Sequence, residues 1–148
     1  MYRDDFFLKV AKALSGCQLV EQQLKLYISE ALELAAKCIG NRMVFTMSGE
    51  DYEGSSLERL IEVFKKLTDN ATLVTELRKF KDERNFLSHR GITHCLDYED
   101  DLFESAVAEY EQRLAAIERE AKRLQNELHQ EANKFRPDLY FGEFPDAP

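Results

Sequence analysis

The sequence predicts an all-α fold in which antiparallel helices lead into a long C-terminal helix. Apolar residues recur at steps of three and four in four separate segments, which is the spacing of a helix with one buried face. The composition agrees, because the 148 residues include only six glycines and three prolines. A chain of this length is expected to form one domain with a core of its own.

The charge and the apolar content predict a cytoplasmic protein without a membrane segment. The net charge is -8. No apolar run approaches the roughly 20 residues that a membrane span needs, and the N-terminus lacks a signal-peptide pattern. Cys17, Cys38 and Cys95 are odd in number and lack a CxxC spacing. We interpret them as reduced thiols in the core or at the surface rather than as a disulfide framework.

Residues 4–39 predict the first helix, either as one long helix or as two helices in line. Ser15 and Gly16 mark the expected position of a kink, and Gly40 with Asn41 ends the segment in the manner of a helix C-terminus. The apolar face consists of Phe7, Val10, Leu14, Cys17, Leu24, Ile28, Ala31 and Ala35.

Two further helices are expected after an acidic surface loop at residues 42–54, where turn residues follow a short apolar stretch that could itself be extended. Ser55 and Glu58 form a predicted capping box at the start of the second helix. Asn70 is the predicted cap of the third helix. Because very few residues join these helices, we expect them to be antiparallel neighbours. The predicted buried face of the second helix is Leu57, Leu60, Ile61, Phe64 and Leu67.

The third helix ends in residues 81–91, which contain the candidate functional residues. Its apolar face is Leu73, Leu77, Phe80 and Leu87. Arg84 stands where the next apolar residue is expected. A guanidinium in that position is costly unless it is paired or lines a cleft. The alternative is an arginine at the rim of a helix contact with its charge in water. Glu21 interrupts the apolar seam of the first helix. We favour the interpretation that Glu21 lies at a solvated edge of the helix, and the alternative is that it is the partner of Arg84.

His89 is predicted in the last turn of this helix, just before Gly91, a residue suited to the left-handed position that closes a helix. The negative end of the helix dipole favours an imidazolium there, and histidine is the side chain that changes charge near neutral pH. On a straight helix Arg84 and His89 are offset by about 140°. They can meet at one phosphate only if the helix frays at Ser88 or a second copy of the chain contributes.

The stretch Arg84-Asn85-Phe86-Leu87-Ser88-His89 resembles the Arg-x4-6-His signature of HEPN domains, in its R-N-x-x-x-H form. HEPN domains are small helical proteins, many of which are metal-independent ribonucleases. The resemblance extends over residues 56–67 and, more loosely, over the chain up to about residue 135. It implies an up-and-down bundle of four to five helices that dimerises, so that two Arg/His pairs face each other in one cleft. HEPN toxins that are paired with nucleotidyltransferase antitoxins have a tyrosine two residues after the histidine, where this chain has Gly91.

The motif residues suit cleavage of RNA by its own 2′-hydroxyl, which needs a base, an acid and a cation for the charge on phosphate. Arg84 and His89 are the candidate catalytic residues. The candidates for substrate binding or support are Asn85, Ser88, Arg90 and Lys81. No cofactor is expected. No metal is expected either, because the spacing of His89, His94, Cys95 and His129 matches no zinc pattern.

The last helix is predicted from about residue 103 to 134, which would make it ~50 Å long. The thin apolar seam of its distal half predicts packing against a second subunit or a partner. The alternative is that this half covers the chain's own first helix. Residues 136–148 form a proline-flanked aromatic tail outside the helical domain of residues 1–135, and the prolines exclude a continuous helix through it.

These observations predict a homodimeric HEPN endoribonuclease that acts on RNA, in a toxin–antitoxin pair or in phage defence, with an antitoxin or another protein as a further partner. The alternative is a non-catalytic HEPN-like module that binds or regulates through its long helix and tail.

Overall fold

The computed structural model describes residues 2–91 and 102–144, with side chains for residues 4–89 and 110–144. The helices are α1 (Tyr2–Ile39), α2 (Leu57–Leu67), α3 (Ala71–Phe86), α4 (Leu102–Asn133) and α5 (Arg136–Phe141). A π-helical turn, Leu87–Gly91, directly continues α3. These ranges contain no strand. The prediction of an all-α bundle with a long helix near the C-terminus is confirmed.

Helix α1 is the longest element and forms one wall of the core. It is a single helix through Ser15 and Gly16 and ends at Gly40, which has a positive φ of 61°. A Cβ atom on Gly16 would lie 2.9 Å from the Cβ of Ala121 on α4. Gly16 therefore allows α1 and α4 to approach closely, which explains a glycine in the middle of a long helix.

The buried face of α1 is shifted slightly from the predicted one. Phe6 is 1% exposed whereas Phe7 is 39% exposed, so the prediction of Phe7 as a core residue is wrong by one position. Val20, the residue before Glu21, is fully buried, so a slight rotation of the helix lets Val20 take the place of Glu21 in the buried seam. Other buried residues of this face are Val10, Ala13, Cys17, Leu24, Ile28 and Leu32.

The starts of α2 and α3 are fixed by side-chain caps. The Ser56 hydroxyl accepts the Arg59 N–H at 3.3 Å, so Ser56 caps α2 and the predicted Ser55–Glu58 capping box is wrong by one residue. The predicted cap of α3 is confirmed, because the Asn70 side chain accepts the Leu73 N–H at 3.0 Å. The loop before α2 contains a 3-10 turn, Gly49–Tyr52, and no strand in its described residues.

The junction of α2 and α3 is tied to α4 through Glu131, which is buried. Its carboxylate accepts hydrogen bonds from Asn70 at 2.8 Å, Thr68 at 3.1 Å and Lys134 at 2.7 Å. Burial by itself raises the pKa of Glu131, but these hydrogen bonds outweigh burial and the pKa is lowered. While it is charged, this carboxylate therefore ties the α2–α3 junction to the end of α4.

Helix α4 packs along α1 within the same chain. Its 32 residues are about 48 Å long. The apolar seam of its distal half is buried at Leu114, Ile117, Ala121, Leu124 and Leu128. The prediction that this seam packs against a second subunit or a partner is wrong, because the seam is already covered by the protein's own core. The alternative, a helix that covers α1, is correct.

The beginning of the C-terminal tail is helical and docked. Pro137 lies in the first turn of α5, where a missing N–H and a fixed φ are tolerated. This short helix was not predicted, but it ends at Phe141 and residues 142–144 are not helical, so no helix continues through the described part of the tail. Leu139 is 1% exposed. Arg136 binds the buried Glu30 of α1 through three contacts of 2.8 to 3.1 Å, and the Tyr140 hydroxyl donates to the same carboxylate at 2.7 Å. The Arg136–Glu30 ion pair and the Tyr140 hydrogen bond thus fasten α5 to α1, and Leu139 buries an apolar side chain.

Candidate functional site

The end of α3 is held in place by contacts of Glu83, Phe86 and Leu87 with the rest of the bundle. The Arg113 guanidinium lies 3.4 Å from the centre of the Phe86 ring, and the Tyr110 ring centre is 5.4 Å away. Arg113 also donates two hydrogen bonds to Glu83, at 2.7 and 2.9 Å. The next residue, Leu87, is fully buried. These contacts fix the backbone from which the motif side chains project.

The motif passes through a change of helix type. Ser88 and His89 lie in the π turn Leu87–Gly91, in which hydrogen bonds join residues five apart instead of four. A π turn contains more residues per turn than an α-helix, so it reduces the predicted offset between Arg84 and His89. The predicted fraying at Ser88 is thus replaced by a widened but helical turn. Single π turns of this kind are frequent at functional sites.

Arg84 forms an ion pair with Glu21 of α1. The Nε atom of Arg84 lies 3.3 Å from Oε1 of Glu21, whose side chain is 18% exposed, and the Arg84 side chain is 35% exposed. The favoured interpretation of Glu21 as a solvated edge residue is therefore wrong, and its alternative role as the partner of Arg84 is correct. Because 63 positions separate the two residues, the sequence indicates this pairing only as one of two alternatives.

Cys17 lies behind this ion pair in the core. Burial raises the pKa of the Cys17 thiol to about 11, and the nearby Arg84 charge opposes only part of that increase. The thiol is therefore protonated at neutral pH and behaves as a small apolar group. Cys17 and Cys38 are both free, and Cys95 lies outside the described residues.

A polar cleft of about 330 Å³ opens beside Arg84. Helix α1 forms one wall of this cleft, the start of α2 and the preceding turn form a second, and α3 forms the third. The side chains that matter for its chemistry are Glu21, Ser55, Ser56, Glu58, Lys81, Arg84 and Asn85. The sequence indicates Ser55 only as a helix cap, and nothing in it indicates that Ser55 and Ser56 lie next to the motif.

The two cations of this cleft keep hydrogen-bond donors available. Glu21 contacts Arg84 at Nε. The described part of the chain provides no hydrogen-bond acceptor for the two terminal nitrogens of Arg84. Lys81 is 3.9 Å from both Glu58 and Asp82, which is beyond hydrogen-bond distance. The cleft therefore presents the edge of a guanidinium and an ammonium group, the two side chains that bind phosphate best.

Acidic neighbours neutralise part of the positive charge near the end of α3. Arg78 donates to Glu62 of α2 at 2.9 Å, and Glu58 and Asp82 flank Lys81. Lys79 is exposed on another face of α3, next to a separate groove between α3 and α4. The positive charge that is available near the motif therefore lies mainly at Lys81 and Arg84 in the cleft.

The predicted site residues fall into two groups. Arg84, Lys81 and Asn85 line one cleft. Ser88 is partly exposed and His89 is exposed in the π turn, and neither is among the residues that line the cleft. The side chain of Arg90 lies outside the described residues. One copy of the chain therefore does not place the imidazole of His89 in the cleft that contains Arg84.

Within residues 2–91 and 102–144, no group of three or more His, Cys, Asp or Glu side chains is arranged to hold a metal ion. His94 and Cys95, which the metal prediction considered, lie outside the described residues. No described helix combines the length and apolar character needed to cross a bilayer.

Comparisons of the chain with protein-family models, with curated proteins and with solved structures give no significant match. The fold and the geometry of the cleft are therefore the basis for any functional conclusion.

Proposed function

We propose that the protein is a metal-independent endoribonuclease of HEPN type that acts as a homodimer in the cytoplasm. The observation that carries this proposal is the ion pair between Glu21 and Arg84. It holds a partly buried guanidinium that lines a polar cleft, one helical turn before an exposed histidine. Arginine oriented in this way can bind two oxygens of one phosphate and stabilise the charge that develops on it during cleavage.

In the proposed reaction the 2′-hydroxyl of RNA loses its proton to a base and its oxygen bonds to phosphorus, while the bond from phosphorus to the 5′ oxygen breaks. The departing 5′ oxygen takes a proton from an acid, which gives a 2′,3′-cyclic phosphate and a 5′-hydroxyl. His89 provides the proton transfers and Arg84 stabilises the phosphate. Asn85 and Ser88 support the substrate or the imidazole.

The homodimer is part of the proposal because His89 does not line the cleft of its own protomer. A two-fold axis near the end of α3 would bring His89 of a second copy towards Arg84 of the first, and would supply two imidazoles for the base and the acid. We extend the proposal to a role in a toxin–antitoxin pair or in phage defence, with an antitoxin or another protein that controls the nuclease.

One observation favours a second candidate function. The charges near the motif are largely compensated by Glu58, Glu62 and Asp82, and the chain as a whole is acidic. Long-range attraction of RNA is weak for such a protein. The alternative is a non-catalytic HEPN-like module that binds or regulates a partner and retains the motif for structure.

Incubation of the purified protein with a set of RNAs in the presence of a chelator separates the two candidates. We expect cleavage by the parent protein and a loss of at least about 100-fold in both Arg84→Ala and His89→Ala, at unchanged oligomeric mass. Lys79→Ala is the matched control for loss of a basic residue on α3, and it should cleave normally. Absence of cleavage by the parent protein, or cleavage that neither substitution affects, supports the binding module.

A further inference from the structure

The cleft between α1, α2 and α3 contains more binding chemistry than the proposed cleavage uses. Arg84 is assigned to the phosphate that is cut, whereas Lys81 lies one helical turn further from His89 on the same side of α3. Its side chain is 22% exposed, and among the described residues its nearest carboxylates, Glu58 and Asp82, are both 3.9 Å away, beyond hydrogen-bond distance. The hydroxyl groups of Ser55 and Ser56 stand on the opposite wall. Nothing in the cleavage mechanism requires these three groups.

The charges of the cleft limit what it can hold. The two cations, Lys81 and Arg84, are balanced by the two carboxylates, Glu21 and Glu58. Each phosphodiester of RNA brings one negative charge, which a cleft with open donors can accept. A di- or triphosphate would bring several negative charges close to Glu21 and Glu58 and would be repelled. The charge balance therefore favours a nucleic-acid backbone over a free nucleoside triphosphate.

The size of the cleft limits the form of the nucleic acid. A volume of about 330 Å³ is at the lower end of the range for small-molecule sites, and it suits one nucleotide. A base inside a duplex can enter such a cleft only after it is unpaired and unstacked, which costs a few kcal/mol. Single-stranded RNA can place a nucleotide there without this cost.

We propose that this cleft is a subsite for one unpaired nucleotide of single-stranded RNA, next to the cleaved phosphate. Lys81 binds the phosphate of this nucleotide, and Ser55 and Ser56 contact its sugar or base. The inference rests on the proposed nuclease function. It adds the substrate class, which is single-stranded rather than duplex RNA, and a residue that governs affinity rather than chemistry.

The test measures binding separately from cleavage, with a fluorescent 2′-O-methyl hexanucleotide that cannot be cleaved by 2′-hydroxyl attack. Its dissociation constant is measured across a series of salt concentrations. For a single strand, each phosphate contact adds about -0.7 to the slope of log affinity against log salt. Contacts by Lys81 and Arg84 predict a slope of about -1.4 for the parent protein and about -0.7 for Lys81→Gln. Lys79→Gln is the matched control and should leave the slope unchanged.

A second variant tests the volume of the cleft without a change of charge. Ser55→Leu fills space on the wall opposite Lys81, and Ser55 is not the residue that caps α2. We expect at least about a fivefold weaker binding of the hexanucleotide with the same salt slope as the parent protein. A duplex of the same sequence should bind at least about tenfold more weakly than the single strand.

The results distinguish the failure of this inference from the failure of the proposed function. Equal salt slopes for the parent protein and Lys81→Gln, or equal affinity for duplex and single strand, overturn the subsite even if RNA is cleaved. Binding that depends on Lys81 and Ser55 supports the subsite. If such binding occurs without cleavage of unmodified RNA, the nuclease proposal fails and the subsite remains.

Discussion

Removal of the Arg136 side chain is the substitution whose effect can be worked out most fully from the structure. In Arg136→Leu, the Glu30 carboxylate loses three contacts of 2.8 to 3.1 Å. The Glu30 side chain is only 6% exposed, so the charge would remain buried with the Tyr140 hydroxyl as its donor. The hydrogen bonds of Arg136 to His129 and Asn133, at 2.8 and 3.0 Å, would also be lost.

The expected loss of stability cannot exceed the free energy that is needed to detach α5 from the rest of the protein. Breaking a buried ion pair from one side costs about 3–5 kcal/mol. The chain can avoid part of this cost if α5 detaches and Glu30 becomes hydrated. Detachment exposes Leu139, at a cost of about 2 kcal/mol, together with the remaining contacts of Tyr140. We therefore expect Arg136→Leu to lower the free energy of unfolding by about 3 kcal/mol, which corresponds to a decrease in Tm of roughly 6–12 °C for a protein of this size.

Urea denaturation followed by circular dichroism measures this loss, and hydrogen exchange of the α5 amides shows whether the helix detaches. The control is the double variant Glu30→Leu/Arg136→Leu, which replaces both charges with apolar side chains and should recover most of the stability. A loss below about 1 kcal/mol in the single variant would refute the reasoning. So would a double variant as unstable as the single one, because the effect would then not come from an unpaired buried charge.

Three further predictions concern other parts of the structure. Gly16→Val should push α1 and α4 apart and lower the stability by about 1–3 kcal/mol, whereas Ser15→Val on the exposed side should have a smaller effect; equal Tm values in a melting experiment would contradict this. Glu131→Gln should lower the free energy of unfolding at neutral pH and reduce the stability lost on acidification. The pKa of Glu131 is lowered in the folded protein, so its carboxylate adds stability above the ordinary pKa of 4.5, and this stability is lost as the pH falls through the pKa of the folded state. Parallel curves of unfolding free energy against pH for the parent protein and the variant would contradict this prediction. Glu21→Gln should lower kcat for RNA about tenfold with a smaller change in KM, because Arg84 loses its orienting charge; an unchanged kcat would show that Glu21 does not position Arg84.

The helical framework could be predicted from the sequence because it depends on residues close together in the chain. The three-four spacing predicted α1 to α4, and Asn70 and Gly40 marked helix ends through local hydrogen bonding and local backbone geometry. The errors at this level are small. Ser55 and Ser56 are adjacent and both have a hydroxyl that can cap a helix. Which of them caps α2 depends on the backbone conformation, and the residue types do not determine it.

Contacts between distant parts of the chain could not be predicted in the same way. Arg84 in an apolar slot indicated a paired or cleft-lining charge, and the structure shows both features. The identity of its partner depends on how α1 and α3 pack, so Glu21 could only be named as one of two alternatives. Helix α5 is a similar case, because Pro137 permits a helix start but only the buried Glu30 explains why Arg136 and Tyr140 dock there.

The chemical nature of the RNA ends gives the most direct test of the central claim, that Arg84 and His89 cut RNA through its 2′-hydroxyl without a metal. Mass spectrometry of the products formed in the presence of a chelator should show 2′,3′-cyclic phosphates and 5′-hydroxyls, and a substrate with a single 2′-deoxy nucleotide at the cleavage position should stay intact. Products with 5′-phosphates, or cleavage of the 2′-deoxy substrate at that position, would contradict the account.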